Sequence, residues 1–480
     1  MDRIQGQAGV VTPADAVPRV EIPEETAYRS LTWWQWAAVL LLAAGFCQMV
    51  WLYLTSKTYL PFYVISSVYL IIISHKFALV LRGVFSNREV RVSEVEILSH
   101  RDWPVYTILL PIYREREIFP QLCRAVEYLD YPKDRLEVIL LTEEDDEQMR
   151  SVLAQWVPPP WWKVITVPHS LPKTKGKALN FGLAVATGTY LVIYDAEDIP
   201  ERDQLKKAVI GFERSPANVA CLQAKLNYYN PEQNILTEWF TAEYSSWFDL
   251  YLPGIDSMSA PIPLGGTSNH FRTSVLKELK GWDPFNVTED CDLGIRIFRR
   301  GYRTRVLDTT TWEEANSDLN NWIKQRSRWV KGYIQTYFVH MRNPLALLHR
   351  LGCINFLHFT LIVAGNFFVL CFNPVAWGLS VYWLASSRHL EFYLPNLFFQ
   401  IVTPPLLIGN VLFVLINVLG VINRKYYRLI LAALLSPVYW VLMSVGAWKG
   451  LWQYFFRPHY WEKTDHALFG VITETRSRTA

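Results

Sequence analysis

The chain has 480 residues, room for about two to four ordinary domains. It is 51 % hydrophobic and 15 % aromatic with 20 Trp, and only 19 % charged, which is the composition of a membrane protein with a soluble part. A net charge of +3 gives no basis for nucleic-acid binding, and six Cys without a CxxC pair argue against a disulfide framework or a zinc site and suit a reducing compartment.

Residues 1–30 are Pro-rich and polar and read as a loose tail. Residues 31–94 hold two apolar runs, near 32–54 and 59–82, and a linker. Each run is close to the ~20 residues a spanning helix needs, with Tyr and Trp at its ends as interfacial anchors. The first is too long for a cleaved signal and reads as an anchor. Arg82, Arg88 and Arg91 follow, which favours an inside location for the next domain.

Residues 95–345 carry frequent charges and short apolar runs. YTILLPIY (106–113), LEVILLT (136–142), KVITVP (163–168) and TYLVIYD (189–195) read as buried strands. PQLCRAVEYL (120–129) and KALNFGLAVAT (177–187) read as helices between them. The alternation predicts a parallel sheet covered on both faces, with ligands at the carboxyl ends of its strands. Three of those ends are polar, at 113–115, 142–146 and 195–198. Residues 346–450 suggest four further spans, near 352–371, 374–388, 396–421 and 428–448. Four spans return the segment 451–480 to the inside, but they leave Arg424, Lys425 and Arg428 outside, against the positive-inside tendency.

Three polar stretches carry chemistry. In YDAEDIP, Asp195, Glu197 and Asp198 follow an apolar strand directly. They suit either turn capping or a divalent metal, which at phosphate sites takes one or two carboxylates plus phosphate oxygens. In NVTEDCDLGIRIF, Thr288 or Asp290 suits a helix cap, and Asp290 equally suits a general base. In NWIKQRSRWVKGY, Gln325 and Arg328 fall on one helical face with Trp329. An Arg fork matches diphosphate and a Trp face matches an apolar surface; an interfacial helix resting on lipid is the alternative.

DAED, TED and QRSRW occur in that order on one alternating domain between membrane segments. This set resembles the processive family-2 glycosyltransferases, the cellulose, hyaluronan and related polysaccharide synthases. The resemblance implies an α/β GT-A (Rossmann-like) cytosolic domain combined with an α-helical transmembrane region. It implies an inverting polymerase of β-linked glycan using a nucleotide sugar, with UDP-glucose favoured over UDP-GlcNAc or GDP-mannose. Transfer of one sugar to a lipid carrier is the alternative. Pro111, Tyr113 and Glu115 match the first-strand segment that holds the nucleotide; Glu144 and Asp145 stand for the acidic cluster after the second strand, and Lys175, Lys177 and Asn180 for the Lys/Gly/Asn segment near the donor. Asp195, with Glu197 or Asp198, matches the site for Mg²⁺ or Mn²⁺; Asp290 matches the base; Gln325, Arg328 and Trp329 match the grip on donor diphosphate and acceptor. That leaves Lys324 and Lys331 for the lipid. Gly265, Gly266, Thr267, Thr288 and Glu289, with Trp461, would build an acceptor wall, and Trp461, Lys463 and Thr464 of RPHYWEKTDHA a gating segment that closes over the diphosphate, an amphipathic helix in the headgroup region being the alternative. The resemblance further implies a bacterial inner (plasma) membrane protein, a growing glycan as acceptor, a channel lined by residues such as Asn366 or Trp377, and accessory export subunits as partners.

Overall fold

The computed structural model describes residues 10–11, 25–56, 60–86, 88–385, 396–458, 460 and 462–463. Two long apolar helices, α1 (Trp33–Ser56) and α2 (Leu60–Phe85), lead into a mixed α/β domain. Its strands are β1 (Val10–Val11), β2 (Tyr106–Ile112), β3 (Leu136–Glu143), β4 (Trp162–Val167), β5 (Tyr190–Ile193), β6 (Ile199–Pro200), β7 (Val219–Tyr228), β8 (Asn269–Arg272) and β9 (Arg303–Glu313). The helices that position the site are α3 (Lys175–Val185), α4 (Ile235–Ser246), α5 (Glu289–Arg299) and α6 (Leu319–His340). Beyond them lie α7 (Gly365–Ala385), α8 (Asn396–Asn423) and α9 (Ser436–Phe456).

The strands form one sheet in the order β1-β4-β3-β2-β5-β8-β7-β9-β6. β4, β3, β2 and β5 run parallel, and Leu109 lies opposite both Ile139 and Ile193. In that register the chain leaves β2 at Tyr113, β3 at Glu143 and β5 at Asp195 along a single edge. The sheet is not purely parallel. β8 inserts antiparallel between β5 and β7, and β6 pairs antiparallel with β9. The side-chain period of two splits the core. Leu109, Ile139, Leu141, Leu191 and Ile193 pack on one face with α3, and Ile108, Leu110, Val138, Leu140 and Val192 on the other with Phe119, Leu205 and Phe212.

The first of these faces also joins the domain to the long helices. Leu79 and Val80 of α2 share its core with Phe248, Leu252 and Ile255 of the helical segment 247–257, and with Ile416 of α8. Buried charge reinforces the junction. Lys225 of β7 reaches Glu89 at 2.9 Å and Asp308 at 2.8 Å. Arg424, just past α8, donates to both oxygens of Asp249, one at 3.0 Å. Arg424 therefore lies on the sheet side of the long helices, which corrects the outside position expected from four spans.

Among the described residues three helical stretches are long and apolar enough to cross a membrane: Phe62–Phe85, Pro344–Gly378 and Ile401–Asn423. The pair Tyr427–Leu434 and Ser436–Phe456, bent by 63°, reaches that length and apolarity only when its two pieces are taken together. Where the sequence suggests two spans at 352–371 and 374–388, the chain forms one helical run through Pro374 to Ala385; residues 386–388 lie outside the described residues. The break is earlier, at Gly352, whose φ of 74° turns the chain between the two halves of the segment 344–359. α9 does not stand apart. It runs beside α6, with Tyr439 donating to the Glu243 partner of Arg326 at 2.6 Å and Tyr454 stacked on Phe338 at 5.7 Å.

Candidate active site

A cavity of about 1020 Å³ opens at the polar sheet edge and continues between α2, α4, α7, α8 and α9. At the sheet end it is lined by Pro111, Tyr113, Glu115, Lys175, Asp195, Glu197, Gly265, Gly266, Thr288, Glu289, Asp290, Gln325, Arg328, Trp329 and Lys463. Farther in it is lined by Tyr244, Trp247, Phe413 and Trp440, and by Asn366, Asn373 and Asn417. Trp377 is not in this wall; it packs against the apolar cluster around Tyr69 and Val402.

The acidic turn after β5 divides its labour. Asp195 faces the cavity and pairs with the ammonium of Lys175. Glu197 also faces it, while Asp198 is fully buried behind them. Asp198 Oδ2 accepts from the Asp195 N–H at 2.8 Å and from the Thr267 hydroxyl, which fixes the turn. Burial, then the charges of Asp195 and Glu197, hold the Asp198 carboxyl well above the ordinary range. Glu313, at the end of β9, lines the same pocket and is pushed up likewise by burial and by Asp198, Glu197 and Asp195. Burial opposes the charge of Lys175, but Asp195, Glu289 and Asp290 outweigh it and keep the ammonium protonated.

TED sits at the start of α5. Thr288 occupies the N-cap position without a side-chain cap bond, and Asp290 Oδ1 accepts from the Cys291 N–H at 2.7 Å, leaving its second oxygen toward the cavity side of Gly266. Burial raises the carboxyls of Glu289 and Asp290 above the ordinary range, and the Asp195 charge adds to this at both. α6 is capped by Asp318, which accepts from Asn321 N–H at 2.8 Å. Its 3.6-residue turn brings Gln325, Arg328 and Trp329 to the cavity. Arg326 also lines the cavity but is committed within its wall, donating to Glu243 Oε1 at 2.9 Å and to Tyr439 at 2.8 Å. The Gln325 carbonyl oxygen is buried with no protein partner among the described residues. Burial works against the Arg328 charge, and Glu289, Asp195, Asp290 and Glu197 hold it. Trp329 lies near-parallel to Tyr244 at 6.2 Å. Gly332 lets α6 meet TED: a Cβ there would fall 2.1 Å from Thr288 Oγ1.

The C-terminal segment closes one wall. Gln335 donates to the Pro458 carbonyl at 2.9 Å, Arg328 to that of Glu462 at 3.3 Å, and Lys463 to that of Tyr113 at 2.9 Å. The Glu462 carboxylate is held by Lys449 at 2.9 Å and Gln453 at 3.0 Å. Lys331 is buried and donates to the Tyr460 carbonyl, so it is not available to lipid as the sequence reading expected. Trp461 and Thr464 lie outside the described residues.

Several expected nucleotide contacts do not reach the cavity. Lys177 turns back to the carbonyls of Pro168 and Ser170, at 2.7 and 3.0 Å. Asn180 is spent on both backbone groups of Trp282. Glu144 accepts from the His169 N–H at 2.8 Å, and Asp145 pairs with Lys173. Thr267 is buried beneath the acidic turn, its hydroxyl oxygen 3.0 Å from Ile193 O. The acid of that cluster that does line the cavity is Glu143, with Lys173 beside it. Glu143, Lys173 and Glu313 were missed, although Glu143 and Glu313 are the first acids past apolar or β-branched strands.

The glycosyl transferase family group 2 matches residues 190–456, more than half of the chain. The probable glycosyltransferase YdaM of Bacillus subtilis (strain 168) is 28 % identical over 235 residues, 48 % of this chain and 56 % of that one. Glucomannan 4-beta-mannosyltransferase 2 of Arabidopsis thaliana is 28 % identical over 253 residues, 50 % and 46 % of the two chains. Cellulose synthase 2 of Novacetimonas hansenii is 26 % identical over 376 residues, 77 % of this chain but 21 % of that one. The chain thus spans about half the length, or less, of these relatives. Among solved structures, the mannosyltransferase PcManGT from Pyrobaculum calidifontis, in complex with GDP-Man and Mn²⁺, aligns with a TM-score of 0.43 at 18 % identity, over 72 % of this chain and 98 % of that one.

Proposed function

We propose that this chain, which belongs to the glycosyl transferase family group 2, is a membrane-embedded inverting transferase. It extends a β-linked glycan from a nucleotide sugar, UDP-glucose in first place, and feeds the product between its own long helices. The observation that carries this reading is the continuity of one cavity from Asp195, Asp290 and Arg328 to Asn366, Asn373 and Trp440. Transfer of a single sugar needs only the sheet end of that space. Aromatic faces and amides farther in suit a chain of sugars, which offers apolar ring faces and hydroxyls alternately.

In the mechanism the donor lies with its base along Pro111, Tyr113 and Glu143 and its diphosphate toward Arg328, Lys175 and Lys463. Asp290 accepts the proton of the acceptor hydroxyl, whose oxygen attacks the anomeric carbon as the bond to the diphosphate oxygen breaks on the opposite side. The configuration inverts, and the nucleoside diphosphate leaves with the electron pair of the broken bond. Arg328 offers two parallel donors to the charge that grows there. Trp329 and Tyr244 seat the acceptor sugar. Asp195 and Glu197 are the residues to hold a divalent cation, because Asp198 is committed to the turn. Two carboxylates suit an ion whose remaining positions are filled by phosphate oxygens. The concentration of Asp195, Glu197, Asp198 and Glu313 against Lys175 supports such a cation. When bound, it neutralises diphosphate charge.

The test is a donor screen with the full chain in nanodiscs, each radiolabelled nucleotide sugar with Mg²⁺ or Mn²⁺, beside Asp290→Asn. A high-molecular-weight, glycosidase-sensitive product that the variant cannot make is the expected result. Label confined to a small organic-soluble lipid would overturn the polymerase reading.

A further inference from the structure

Lys76 is a charged group of the cavity that has no part in the transfer chemistry. Lys76 lies on α2 and lines both the main cavity and a small side pocket against the segment 361–366. Its ammonium faces three rings, Phe413 at 4.9 Å, Tyr251 at 5.5 Å and Trp247 at 6.0 Å. No ion pair to Lys76 occurs among the described residues. Glu243, the carboxylate that shares this part of the wall, is already held by Arg326 and Tyr439. Aromatic faces stabilise a cation without neutralising it. A cation retained in an apolar helix layer marks a pathway or a binding position for the opposite charge.

We propose that Lys76 reads an acidic group on the acceptor glycan, so that the polymer in this cavity carries a carboxylate on a sugar or on a substituent; a nucleotide-linked sugar acid then joins or replaces UDP-glucose as donor, or the substituent is in place before the glycan passes Lys76. The inference rests on the reading of the cavity as a glycan path. The surroundings favour a sugar acid over a lipid phosphate. The rings of Trp247, Phe413 and Trp440 and the amides of Asn366, Asn373 and Asn417 match sugar faces and hydroxyls. A single compact ammonium matches a single negative charge, and the cations suited to a diphosphate (Lys175, Arg328 and Lys463) stand at the sheet end of the cavity.

The experiment measures binding to the full chain in nanodiscs by quenching of Trp fluorescence. The probes are a β-linked tetrasaccharide containing glucuronate and the same tetrasaccharide with its carboxyls reduced to alcohols. The expected result is at least tenfold tighter binding of the acidic probe, an advantage that Lys76→Met abolishes and Lys76→Arg keeps. Equal affinity of the two probes for the unmodified chain overturns the proposal, and this comparison needs no variant to fold. So does an acidic preference that survives Lys76→Met. A third arm adds polyprenyl phosphate to the nanodiscs; if it displaces the neutral probe and Lys76→Met prevents this, the anion read is a lipid phosphate and the proposal falls. Nucleoside diphosphate release from the donor is followed in the same preparation. Its absence with every nucleotide sugar refutes the transferase reading, whereas the tetrasaccharide comparison reports on Lys76 without turnover.

Discussion

Replacing Gly332 by Ala isolates the contact between the helices that carry Asp290 and Arg328, the base and the diphosphate grip of the proposed mechanism. The added Cβ would stand 2.1, 2.4 and 2.7 Å from Oγ1, Cγ2 and Cβ of Thr288, whereas ordinary contact begins at 3.4 Å. Thr288 is buried, and its backbone N–H is bonded to Asn286 at 3.1 Å, so it has little room to retreat. Relief therefore requires α6 to lift from TED by about 1 Å, an overpacking strain of about 1–3 kcal/mol. The larger effect is on chemistry. α6 carries Arg328 and α5 carries Asp290, and a displacement of about 1 Å between reacting groups costs about 10²-fold in rate. Steady-state transfer by Gly332→Ala should show kcat down about 100-fold, with thermal unfolding only modestly earlier. Adding Thr288→Ala removes the two closest atoms and should recover part of the loss. A Gly332→Ala enzyme with unchanged kcat would refute the argument that this contact sets the alignment.

The remaining predictions address single groups. Because burial raises the Asp290 carboxyl, this base becomes protonated as pH falls through a midpoint above the ordinary carboxylate range; kcat/KM should decline on acidification with that midpoint, and Asp290→Asn should lose about 10²–10⁴-fold at all pH values. Arg328→Lys keeps a charge but not the fork, so it should raise donor KM and lower kcat together, and an unchanged pair of constants would count against diphosphate binding there. Glu462→Ala removes the anchor shared by Lys449 and Gln453 and should raise donor KM severalfold while leaving the unfolding temperature within a few degrees, which differential scanning can check. Glu197→Gln should raise the Mn²⁺ concentration needed for half-maximal nucleotide binding more than Glu144→Gln, because only Glu197 faces the cavity.

Much of the sheet end was legible because polarity changes abruptly there. The runs ending at Tyr113, Thr142 and Asp195 are apolar strands followed at once by charged turns, and β2, β3 and β5 fall within two residues of the reading. The i, i+3, i+4 spacing of Gln325, Arg328 and Trp329 likewise put them on one face. What failed was the choice among neighbouring polar residues. Nothing local separates Glu143 from Glu144, or Glu197 from Asp198; strand register and turn geometry decide which side chain faces out. β8 was invisible because NHFR is four residues long with no alternation, and its place between β5 and β7 is a long-range pairing. The sequence reading places a break between residues 371 and 374. The helix continues through it, and the change of direction comes instead at Gly352. Arg424, which four spans would put on the far side of the long helices, instead bonds Asp249 beside the sheet.

The contact of Lys463 with Tyr113 has a bearing on biosynthesis. The walls of the cavity are drawn from residue 28 to residue 463, so the sheet edge, though translated early, lacks one side until α9 and the segment after it have emerged from the ribosome and settled along α6. A nascent or half-inserted chain would hold the acidic turn and TED without the partner that closes over them. On the proposed function, competence for transfer then waits on the seating of α9 and the segment after it along α6, and a chain stalled before that point would draw nothing from the nucleotide-sugar pool.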